Sequence, residues 1–85
     1  MTVEVELAFL MLNDLDNGAE FSQDTLKICY ERLLSQQGTN QEEKVTDMWV
    51  TLLWKGFQKV GPQRLASARS SKESMAKALS KVMPR

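Results

Sequence analysis

Apolar residues recur at helical spacing along most of this chain. The clearest case is Leu26, Cys29, Tyr30, Leu33 and Leu34, which repeat at i, i+3, i+4, i+7 and i+8 and share one side of a helix. Ser22 precedes this run as an N-cap, and Asp24 places a negative charge in the first turn, against the positive end of the helix dipole. Phe21 and Leu26 have the spacing of a hydrophobic staple, and Gly38 ends the helix. Upstream, Val3, Val5, Leu7, Phe9 and Met11 alternate as in a strand. Leu10 and Leu12 break that alternation, and no other segment offers a strand to pair with. The expectation is a helix from about Val3 to Asn13, closed by an Asn17-Gly18 turn.

A third helix starts at a capping box, Thr39 with Glu42 or Asn40 with Glu43, and runs to Val60 before Gly61-Pro62. Asp47, Thr51, Lys55 and Gln58 occupy a polar sector of roughly 80°. Val45, Met48, Trp49, Leu52, Leu53 and Val60 point toward the expected core, while Val50, Trp54 and Phe57 extend the apolar surface round the far side. A helix this apolar needs cover on more than one side. Beyond Pro62 the chain turns Ser-, Ala- and Lys-rich. Leu65 and Ala68 fit a short amphipathic turn, and Ser70 with Glu73 opens a last helix to about Met83, with Met75, Ala78, Leu79, Val82 and Met83 on its apolar side. The fold expected is all-α: one domain over residues 1–85, a small bundle of about four helices on a central antiparallel hairpin, with residues 62–85 loosely docked.

Composition narrows the function. At 85 residues, 42% apolar and 26% charged, the chain suits one folded domain that buries only roughly 60–65% of its unfolded surface. A chain of that size commonly needs a disulfide, a metal or a partner. Cys29 is the only cysteine and there is no histidine, which removes an internal disulfide, a zinc site and a neutral-pH proton shuttle. Aligned on a calcium loop, Asn13-Asp14-Leu15-Asp16-Asn17-Gly18 puts Leu15 where an oxygen ligand belongs. No cofactor, metal or catalytic set is read. "LAFLML" is too short for a membrane span or a signal peptide, and acids precede it, so a cytoplasmic setting is expected.

Charge changes the picture most. Through Val50 the chain has three bases against ten acids; after it, eight bases against one acid, Glu73. The reading adopted is a non-enzymatic protein–protein interaction module, an adaptor, inhibitor or accessory subunit. Val50, Trp54 and Phe57 would be either covered by the last helix or buried in a partner, and the reading taken is a homodimer through them, since aromatic anchors dominate interfaces. Its basic segment would face acids of its own chain or of a neighbouring copy. The alternative is nucleic-acid binding through Arg64, Arg69, Lys72, Lys77 and Lys81, against which stand the acidic half and the lack of any aromatic residue beyond Phe57. Membrane-surface binding is set aside, because the last helix has no Trp or Phe to insert.

Overall fold

The computed structural model describes residues 2–36 and 47–82, and all regular structure among them is helical. Its elements are α1 (Thr2–Asp16), α2 (Gln23–Gln36), α3 (Asp47–Val60), α4 (Pro62–Ser67), a 3₁₀ turn (Ala68–Ser70) and α5 (Lys72–Ser80). The expected connection through Gly38 and the caps at Thr39 and Asn40 lie outside the described residues, as does Val45.

α1 resolves the strand-like alternation in favour of a helix. Val5, Ala8 and Leu12 form one buried row and Leu7 and Met11 another, with Val3, Phe9, Leu10 and Leu15 packed at their margins. The helix runs three residues past the expected end. It stops at Gly18, whose φ of +100° favours glycine, and the last carbonyls are met by Gly18 N–H to Leu15 O (3.0 Å) and Ala19 N–H to Asp14 O (2.9 Å). α2 starts as read: the Thr25 N–H donates to Ser22 Oγ at 3.3 Å, and Leu26, Cys29, Tyr30 and Leu33 are buried. Two contacts fix the start of α2 against the middle of α3. Phe21 lies on Trp54 with ring centroids 4.8 Å apart, and Gln23 Nε2 donates to Thr51 Oγ1 at 3.1 Å.

α3 corrects the expected orientation. Its core row is Val50, Leu53 and Phe57, with Val50 only 1% and Phe57 0% exposed. Met48 and Leu52, assigned to the core from sequence, are 76% and 38% exposed. Both sides of this helix are apolar, so the pattern showed that it would be covered widely but not which side faced inward. α1 and α3 each touch α2, α4 and α5, so of the two covers expected for this side of α3, the last helix or a second copy, the C-terminal elements supply it.

The basic segment is therefore packed on the body of the protein rather than loosely docked. Leu65, Ala68, Met75 and Leu79 are buried. Gly61, with φ +88° and ψ 156°, turns the chain sharply, and Pro62 begins α4, where its missing N–H costs nothing. Ser71, not Ser70, caps α5: the Ser74 N–H donates to Ser71 Oγ at 3.0 Å, and Ser70 belongs to the 3₁₀ turn. α5 ends at Ser80, short of the expected Met83. No helix among the described residues is long and apolar enough to cross a membrane.

Candidate functional site

Burying Leu65 and Ala68 on one side of α4 and its turn, and Met75 and Leu79 on one side of α5, leaves the opposite sides of both elements in solvent. Those sides carry charge. Arg64 and Ser67 project from α4; Ser74, Lys77 and Lys81 stand three or four residues apart along α5 and its end. Together with Ala68, Ala78 and Ser80 they line an open cleft of about 570 Å³, and no acid is among the described residues of its wall. The alanines leave space between the cationic side chains. Two of the serines are held by backbone carbonyls, with Ser67 Oγ donating to Gln63 O and Ser80 Oγ to Lys77 O, both at 3.1 Å.

Of the five basic residues singled out from sequence, the cleft gathers three: Arg64, Lys77 and Lys81. Among the described residues none of them has a carboxylate within ion-pair distance. Arg69 is turned elsewhere, its Nη2 donating to Asp16 Oδ2 at 2.9 Å, where it ties the 3₁₀ turn to the end of α1. Lys72 is exposed in the first turn of α5 and is not part of the cleft wall. Chemically, three uncompensated cations on two facing helices, with hydroxyls between them, form a receptor for anionic oxygens.

The interface expected from sequence is not available on the single chain. Val50 and Phe57 are enclosed, and Trp54 is half-buried against Phe21. The exposed large apolar side chains among the described residues are Ile28, Met48 and Leu52.

A second polar cluster was not visible in the sequence. Arg32 Nη2 donates to both oxygens of Asp14 at 2.8 Å, and the buried Cys29 thiol donates to Asp14 Oδ2 at 3.3 Å. The Arg32 hydrogen bonds hold the Asp14 carboxyl below its ordinary 3.8. Burial, with the hydrogen bond to the Asp14 carboxylate added, pushes the Cys29 thiol up to about 11. The cluster pins the end of α1 to α2 and keeps sulfur as an unreactive thiol. Its sequence signal is limited to the Cys29–Arg32 spacing of three; Asp14 lies across a turn and has no local signature.

No protein-family model, curated protein or solved structure matches this chain.

Proposed function

We propose that this chain is a small non-enzymatic binding module that takes nucleic acid in the basic cleft between α4 and α5. One observation carries the reading: folding brings Arg64, Lys77 and Lys81 to a single cleft that, among the described residues, has no acid in its wall and no carboxylate paired with any of the three. Cations so placed neutralise phosphates and release the counterions condensed on the nucleic acid. The acidic half still opposes phosphate, since of its ten acids Asp14 is paired within that half, with Arg32, and Asp16 with Arg69 of the basic segment. The homodimer, in contrast, rested on Val50, Trp54 and Phe57, of which Val50 and Phe57 pack inside one copy. Protein contact remains as a second reading only through the outer side of α3, where Met48 and Leu52 are exposed; sedimentation velocity across concentration tests it. A cytoplasmic setting is proposed from the single cysteine.

Fluorescence anisotropy with a short labelled duplex at low salt tests the main reading. The wild-type chain binds, and Lys77→Glu with Lys81→Glu weakens binding by about tenfold or more. Lys55→Glu with Lys59→Glu makes the same charge change on α3, at two exposed residues that do not line the cleft, and has a much smaller effect. Equal losses in the two double variants, or no binding by the wild type, would overturn the proposal.

A further inference from the structure

We infer that the cleft holds duplex nucleic acid by its phosphates and is tolerant of base sequence. The inference rests on the nucleic-acid reading above and specifies its ligand. Three features of the wall lead to it.

The first is what the wall offers. Among the described residues its polar groups are one guanidinium, two ammonium groups and three hydroxyls, with no Asn or Gln. Ammonium groups act as point charges toward phosphate, and carboxamides are the usual readers of adenine edges. Arg64 alone has the fork that grips a guanine edge, which limits any sequence preference to about one base pair.

The second is spacing. Lys77 and Lys81 lie one helical turn apart, about 5–6 Å between Cβ atoms, on the same wall, while Arg64 comes from the other helix. The three cations thus form a short track wide enough for successive phosphates rather than a closed pocket around one of them.

The third is the placement of aromatic rings. Binding of single strands draws on stacking between bases and aromatic side chains. No ring lines this cleft. Phe9, Phe21, Tyr30, Trp49, Trp54 and Phe57 all belong to the first three helices or the turn before α2, buried or partly buried. A duplex presents its phosphates with the bases already stacked on one another, so it asks nothing of the protein that this cleft lacks.

The full chain is titrated by anisotropy against several duplexes of unrelated sequence, their separated strands, and labelled poly-glutamate, over a range of salt. Expected are duplex affinities within about threefold of one another, weaker binding of single strands, and a slope of log affinity on log salt of about −2 to −3, the value for three phosphates. In Lys77→Glu with Lys81→Glu the slope falls to about −1 or binding is lost, with circular dichroism confirming an intact fold. A strong sequence preference, or tighter binding of single strands, would overturn this inference while leaving nucleic-acid binding in place. Poly-glutamate bound as tightly as duplex would overturn it in favour of an acidic protein partner. Absence of binding to every nucleic acid would overturn the functional proposal itself.

Discussion

At the scale of single residues, the environment of Cys29 shows how packing fixes chemistry. The thiol is fully enclosed, and its nearest polar neighbour is a carboxylate, so a thiolate there would lose water and meet a negative charge at once. With the thiol pushed up to about 11 from 9.0, the thiolate population at mildly alkaline pH falls on the order of a hundredfold. The folded chain should therefore react with iodoacetamide on the order of a hundred times more slowly than the chain in urea, read by mass spectrometry over time. Comparable rates would show that the thiol is not held as described. Its burial was legible, because Cys29 stands in register with Leu26, Tyr30 and Leu33. The bond to Asp14 was not, because the two residues meet only once the Asn17-Gly18 turn has reversed the chain.

At the scale of elements, the boundaries are set by a few backbone and capping groups. Gly61 combines φ +88° with ψ 156°, a region that essentially only glycine occupies. A Cβ built there would meet no atom within 4 Å, so the cost of Gly61→Ala is backbone strain alone. The substitution should lower unfolding free energy by about 1–3 kcal/mol, measured from urea denaturation, and the resulting shift of α4 and α5 should weaken nucleic-acid binding as well. A variant as stable as wild type would mean that the turn is built otherwise. Gly61-Pro62 was readable as a stop, and Ser22 as a cap, since each acts within a few residues. The choice of inner face on α3 was not readable. Val50–Leu53–Phe57 and Met48–Leu52 are both apolar rows, and only the tertiary cover from α4 and α5 distinguishes them. The thin apolar side of α5 read as loose docking from sequence. Met75 and Leu79 with small alanines beside them nevertheless allow close approach to α1 and α3.

At the scale of the whole molecule, the sorting of charge along the chain acquires a spatial meaning. In a neutral chain with its bases gathered after Val50, the simple expectation is closure on itself through many ion pairs. Among the described residues one such pair crosses between the halves, Arg69 with Asp16, and it is exposed on both sides. Exposed pairs contribute little to stability, so the sorting does not serve mainly to hold the fold together. It leaves Arg64, Lys77 and Lys81 on one surface of the last two helices, with their charge directed outward. The list of basic residues was available in the sequence; which of them converge was not, since it depends on the turn at Ala68–Ser70 bringing α4 and α5 face to face. The most direct test of this account is an NMR titration of the isotopically labelled chain with a short duplex at low salt. The account predicts that amide shifts concentrate at Arg64, Ser67, Ser74, Lys77, Ala78 and Lys81 and leave the α1–α2 surface around Glu31 unmoved. Shifts centred instead on Met48 and Leu52, or none at all, would contradict it.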